Sequence, residues 1–128
     1  PRVSGLVLGE AFHQLLETRG AVARFGHSVI PMDDALGEAV VDVAERPYLV
    51  LEADFPQDRC GSFPMELVRE FFLAFTNRAR INLHLLCRHG GNSHHMAEAL
   101  FKAFGRALGA AYAPRPGGRD GMSTKGDL

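Results

Sequence analysis

GNSHHMAEALFKAF, Gly91 to Phe104, is the stretch whose reading decides the fold. Asn92 or Ser93 can accept from the first free backbone N–H groups of a helix, and Ala97, Leu100, Phe101 and Phe104 then recur at helical spacing. A capped helix running to about Ala111 is predicted. His95 and Glu98 share one face of it, Lys102 lies one turn beyond Glu98, and His94 points about 100° away from His95. Imidazoles aimed in two directions suit two metals, or one metal and one partner subunit, better than a single closed site. Imidazole and carboxylate are the ligand types of zinc, manganese and iron sites, and no thiolate cluster competes with them. Two adjacent histidines at a helix start are, by themselves, more often solvent-exposed than metal-bound. The rest of the chain therefore carries the decision.

Upstream of Gly90-Gly91, Arg80 to Arg88 reads as a strand with Ile81, Leu83 and Leu85 on its apolar face and Asn82, His84 and Leu86 on the other. Met65 to Asn77 reads as the principal core helix, introduced by Pro64 at its first position and striped by Leu67, Val68, Phe71, Phe72 and Phe75. Pro56 to Ser62 is a polar loop. Val22 to Met32, Leu36 to Ala44 and Tyr48 to Ala53 carry strand patterns, which predicts a meander or hairpin. Leu6 to Arg19 is a helix with Leu8, Ala11, Phe12, Leu15 and Leu16 at helical spacing and Gly20 past its end; His13 sits at the core edge or surface. The tail from Ala113, APRPGGRDGMSTKGDL, is Pro/Gly-rich and extended. The order α, β, β, β, α, β, α, tail predicts an α+β fold, one mixed or antiparallel sheet with helices packed on one face, and no internal repeat.

Composition narrows the function classes. The chain has 128 residues, enough for one compact domain, and a net charge of −1, which gives no electrostatic reason to expect nucleic acid or a membrane as partner. Cys60 and Cys87 are too few for a disulfide framework and lack CxxC spacing, which fits a reducing, cytoplasmic setting. No apolar run approaches the roughly 18 residues of a membrane span, and no signal peptide is visible. The start at Pro1 without a Met predicts a fragment or a processed product.

Seven blocks then fall in one order: RFG at Arg24 to Gly26, PMDDAL at Pro31 to Leu36, RPYLV at Arg46 to Val50, ELVREFF at Glu66 to Phe72, NLHL at Asn82 to Leu85, the histidine helix, and STKG at Ser123 to Gly126. Together they resemble the imidazoleglycerol-phosphate dehydratase family. The resemblance implies a duplicated unit of the ribosomal protein S5 domain 2-like kind, with residues 1–20 as the last helix of a truncated first half, 21–112 as the second half and 113–128 as a flexible tail closing over substrate. It implies dehydration of D-erythro-imidazole glycerol phosphate to imidazole acetol phosphate in histidine biosynthesis. It further implies two manganese ions per active site, with zinc or iron as alternatives, and a large homo-oligomer whose sites lie between subunits.

Carried over by resemblance, His84, His94, His95 and Glu98 are the metal ligands, His95 and Glu98 the catalytic residues, and Arg24, Arg46, Lys102, Ser123 and Lys125 the phosphate-binding residues. The strand–turn–helix order is expected to bring His84 to the other three. The implied chemistry accounts for that inventory: metals on the ring nitrogens would stabilise an imidazolate and the diazafulvene-like species that follows, a carboxylate or metal-bound water would move the proton, and the phosphate clamp would set the register. The family's first-half HHxxED block is missing, since only Pro1-Arg2-Val3-Ser4 stands at its place. A catalytically silent metal-binding or oligomerisation half-domain is therefore the alternative, and a metal-dependent hydrolase using His94, His95 and Glu98 ranks last.

Overall fold

The structure is a computed structural model and describes residues 1–115. It is an α+β fold in which the second and third helices pack against a 4-stranded mixed sheet and the first helix packs on the second. Strands β1 (Phe25–Met32) and β2 (Ala35–Asp42) form an antiparallel hairpin across Asp33-Asp34, with Asp33 at φ 50 in the left-handed region that Asp tolerates. Strand β3 (Tyr48–Glu52) does not continue a meander. The order is β1-β2-β6-β3, with β6 (Asn82–His89) antiparallel to β2 and parallel to β3. A parallel pair needs a crossover, and α2 (Glu66–Ala79) supplies it. Placing β6 in the centre buries Ile81, Leu83 and Leu85 completely, which an edge position would leave half wet.

Both central strands alternate between faces. Ala35, Gly37, Ala39 and Val41 of β2 and Leu83 and Leu85 of β6 turn towards the helices, while Glu38, Val40, Asp42, His84 and Leu86 look out from the uncovered face. Helix α3 (Ser93–Ala111) lies across β1, β2 and β6. It comes very close, because a Cβ at Gly37 would fall 2.8 Å from the Ala99 carbonyl carbon and one at Gly26 would collide with the Ala107 carbonyl. Phe72 and Phe75 of α2 meet Phe104 of α3 edge-on at 5.0 Å each, so the aromatic positions of the two helices make the centre of the core.

Several predicted boundaries are corrected. Pro64 is not the first residue of α2: it lies in β5 (Phe63–Pro64), paired with β4 (Arg59–Cys60), so the expected polar loop contains a short ribbon, and Met65 is the helix N-cap. The first strand begins at Phe25 rather than Val22, because Arg24 has φ 85 and breaks the extended run; Val22 instead bridges Pro114. Helix α1 (Arg2–Arg19) starts four residues early and packs on α2 through Gly5 and Gly9, where added Cβ atoms would meet the Phe71 and Phe75 carbonyl oxygens at 2.5 and 2.8 Å. That contact rotates Leu8 and Ala11 outwards and leaves Phe12, Leu15 and Leu16 against the core. Among the described residues no helix is long and apolar enough to cross a membrane. Of the expected tail, residues 116–128 lie outside the described residues, and Ser123 and Lys125 with them.

Candidate functional site

The N-terminal end of α3 is assembled from three separate segments. Asn92 is the N-cap, extended at φ −125, and its side chain accepts from the His95 N–H at 3.0 Å. Asp34, at the β1–β2 tip, accepts the Gly91 and Asn92 N–H groups on Oδ2 at 2.5 and 3.0 Å. Gln57 receives the Ser93 N–H on Oε1 at 2.7 Å, while its own main chain exchanges two hydrogen bonds with the buried Ser93 hydroxyl. The donors that an open helix start would offer to an anion are thus largely taken. This end is built to hold its side chains, not to bind phosphate.

The two imidazoles diverge as predicted, with ring centroids 6.2 Å apart and planes at 58°. His95 Nδ1 stands 2.6 Å from Asp34 Oδ1, and its Nε2 is 3.6 Å from Asp33 Oδ2. His94 Nδ1 stands 3.0 Å from Cys60 Sγ, and its Nε2 is 3.6 Å from Glu98 Oε1. Glu98 therefore sits nearest to His94, at i, i+4, and not to His95 at i, i+3 as its helical face suggested. Backbone hydrogen bonds, first that of Gly91, and then the His95 ring hold the Asp34 carboxyl down at about 2. The same contact raises the His95 pKa, with the Asp33 and Glu98 charges adding to it.

Each imidazole Nε2 thus faces one carboxylate oxygen. Two donors bound to one divalent ion at about 2.1 Å stand roughly 3–3.5 Å apart, so both pairs fit as partial shells of nitrogen and oxygen for a zinc, manganese or iron ion. Neither is complete: among the described residues no group of three or more His, Cys, Asp or Glu side chains converges on one point. His84 does not join them. It sits mid-strand between Val40 and Val50 on the uncovered sheet face, while α3 covers the opposite one, and the turn between β6 and α3 does not reverse that. Sequence reasoning missed Asp33, Asp34, Gln57 and Cys60. The Asp-Asp pair at a two-residue turn was the one visible signal, since a turn needs neither carboxylate to be doubled.

The cationic residues divide in the same way. Arg24 donates from Nε and Nη2 to the two Asp42 carboxylate oxygens at 2.7 and 3.3 Å and lies 4.8 Å over the Phe25 ring. With Arg46 and Arg115 it lines a cleft of about 360 Å³ that also takes in Gly20 and Glu45. That cleft lies at the far end of α3, where the Ala23 and Arg24 N–H groups bond the Ala113 and Ala111 carbonyls. His95 is separated from Ala111 by sixteen residues of helix, about 24 Å along the axis. Lys102 is exposed, one turn from Glu98, and belongs with the histidine end; the structure brings Arg24 and Arg46 together but not Lys102.

The model of the family described as imidazoleglycerol-phosphate dehydratase matches residues 3–108. An imidazoleglycerol-phosphate dehydratase of Pelobacter propionicus is 48% identical over 124 residues, covering 97% of this chain and 64% of that protein. One from Gluconobacter oxydans is 46% identical over 125 residues, with 97% and 63% covered. Among solved structures, the dehydratase of Staphylococcus aureus superposes with a TM-score of 0.86 at 41% identity, covering 88% of this chain and 66% of that one. That of Pyrococcus furiosus gives 0.81 at 31% identity, covering 100% and 72%. The chain spans a little under two thirds of the length of the curated relatives it matches.

Proposed function

The chain belongs to the imidazoleglycerol-phosphate dehydratase family, and from that membership we propose that it serves the dehydration of D-erythro-imidazole glycerol phosphate to imidazole acetol phosphate, a hydro-lyase step of histidine biosynthesis. The observation that carries the reading is the start of α3, where one capped turn presents His94, His95 and Glu98 with a carboxylate opposite each imidazole Nε2. His94 with Glu98, and His95 on its own face, are this chain's ligands for a divalent ion, with His84 serving the site of a neighbouring copy, and the ion is manganese by family likeness. Bound there, it supplies Lewis-acid stabilisation of the negative charge that develops on the substrate ring.

The protein side of the reaction follows from the positions. The hydroxyl departs from the carbon bonded to the ring and the proton from the next carbon, so that water is lost and the enol left behind becomes the ketone of the product. Glu98, with 44% of its side chain exposed and one turn inside the helix, is the group that takes the carbon-bound proton. Arg24 and Arg46 hold the phosphate ester, with Ser123 and Lys125 of the tail, while Lys102 stands near Glu98. A ring and a phosphate separated by three carbons cannot span the roughly 24 Å between the histidine and arginine ends of one α3. The site is therefore assembled from more than one copy of the chain, which supports a homo-oligomer, while the two cysteines without CxxC spacing are the ground for a reducing, cytoplasmic setting.

The incomplete donor set favours one second reading, a silent half-domain that keeps the fold and a partial metal site. Native mass spectrometry with elemental analysis, followed by a dehydratase assay, separates the two. A large oligomer with about two manganese ions per subunit and substrate turnover is expected; a fully metal-loaded assembly without turnover overturns the dehydratase reading.

A further inference from the structure

Asp34 makes contacts that a turn residue does not need. Its Oδ2 is occupied by two main-chain donors, Gly91 N–H and Asn92 N–H, which fix the plane of the carboxylate, and its Oδ1 is left facing His95 Nδ1 at 2.6 Å. Its own carbonyl oxygen lies 3.1 Å from His89 Nδ1, so the hairpin tip is tied to both sides of the Gly90-Gly91 turn. An ionised carboxylate only accepts hydrogen bonds. A neutral His95 must therefore carry its proton on Nδ1, and the lone pair is on Nε2, the atom that points outwards towards Asp33. The other tautomer would set the Nδ1 lone pair against a carboxylate oxygen. His94 is the internal contrast, because its Nδ1 faces the Cys60 thiol, which can either donate or accept and selects neither tautomer.

We propose that Asp34 is the positioning residue of the site: reaching across from the β1–β2 hairpin, it holds His95 in the Nδ1–H tautomer and in one orientation, so that Nε2 is presented as a ligand atom. The proposal rests on the reading of His95 as a metal ligand. An outer carboxylate of this kind typically changes metal affinity by about 10- to 100-fold. Asp34→Asn is the informative variant. Its amide oxygen can still accept the Gly91 and Asn92 N–H groups, but the NH₂ group then faces His95 Nδ1 and requires it to accept, which moves the ring proton to Nε2.

Two readouts on the full chain test this. Long-range ¹H–¹⁵N spectra of the metal-free protein, above the imidazole titration range, assign the tautomer of His95, with His94 as reference in the same spectrum. Titration with manganese, followed through the paramagnetic signal of the free ion, measures affinity without any assay of turnover. The wild-type chain is expected to show Nδ1–H at His95; Asp34→Asn is expected to show Nε2–H there, an unchanged His94 and a dissociation constant raised about 10- to 100-fold. Asn92→Ala, which loosens the same helix end but keeps the carboxylate, is expected to leave the His95 tautomer alone. Nε2–H in the wild type overturns the proposal even if the variant does not fold, and so does an Asp34→Asn protein that binds manganese within twofold of wild type. A wild-type chain that shows the Nδ1–H tautomer but takes up no manganese overturns the dehydratase reading instead, and leaves the hold of Asp34 on the ring standing.

Discussion

The two ends of α3 are anchored by different kinds of bond. At Ser93 the anchors are side chains, Asp34, Gln57 and Asn92, each bonded to a specific donor. At Ala111 they are main-chain carbonyls that accept from Ala23 and Arg24, with the Arg24 backbone in the left-handed region. The first arrangement depends on residue identity and fixes imidazole orientation. The second depends on chain path and sets the Arg24 backbone at the cleft that its side chain, held by Asp42, lines with Arg46. A helix stiff over about 28 Å keeps the two ends apart in one chain, and under the proposed dehydration their joint use calls for a second copy.

The sharpest way to break that division is His95→Ala. Loss of bound metal, by at least about a hundredfold in affinity, is expected with the fold and the arginine cleft unchanged; metal content equal to wild type by elemental analysis would remove His95 from the ligand set. Arg24→Ala is the complementary change. It removes a charge-assisted contact worth about 1.5–3 kcal/mol, so KM for the phosphate substrate is expected to rise about tenfold or more while manganese stoichiometry holds. If metal is lost as well, the two ends are not independent.

Gly37→Ala tests the layer between them. The added methyl meets the α3 backbone at Ala99 and Leu100, and overpacking of this kind costs about 1–3 kcal/mol, read as a lower midpoint in denaturant. Acidification separates the ends by charge. The Asp34 carboxyl is depressed to about 2, so its contribution is present in full above the ordinary carboxylate value and is lost as pH falls through about 2. The Gly91 and Asn92 amides are expected to lose exchange protection in that window before the Arg24 amide does, as NMR would show; simultaneous loss would mean that α3 opens as one unit. His95 has the opposite sign. Its raised pKa favours the charged form, so the ion pair with Asp34 is complete below the ordinary imidazole value and fades as pH rises through the raised one. Asn92→Ala is the smallest change, about 1 kcal/mol from the lost cap, seen as a fall of a few degrees in Tm.

What could be read in advance follows the range of the interactions. The cap at Asn92 and the opposite faces of Leu83 and His84 depend on residues within a few positions of each other and are found as predicted. Of the expected α3 stripe, Leu100 and Phe104 are buried and Phe101 is exposed, the buried face running instead through Met96, Ala99 and Ala103. The stripe of α1 was misplaced because glycine leaves no hydrophobic mark: Gly5 and Gly9 make the contact face through close approach, not side-chain burial. His84 was expected beside His94 and His95 because nearness in sequence suggested nearness in space, whereas within one chain a strand sends alternate residues to opposite sides of the sheet and leaves His84 on the uncovered face. The neighbours of His94 and His95 were missed for the converse reason, since Cys60 and Asp34 lie 34 and 61 residues away from them.

The sequence by itself determined the three helices and the four strands of the main sheet, the α+β class and the identity of the residues at the start of α3, because periodicity, caps and turns act over three or four residues. Only the tertiary structure decided that β6 lies between β2 and β3, that the hairpin tip reaches His95, and that the imidazoles and the arginines stand at opposite ends of one helix. Those are outcomes of burying one apolar face against another, which depends on the whole set of elements at once and leaves no local pattern to read.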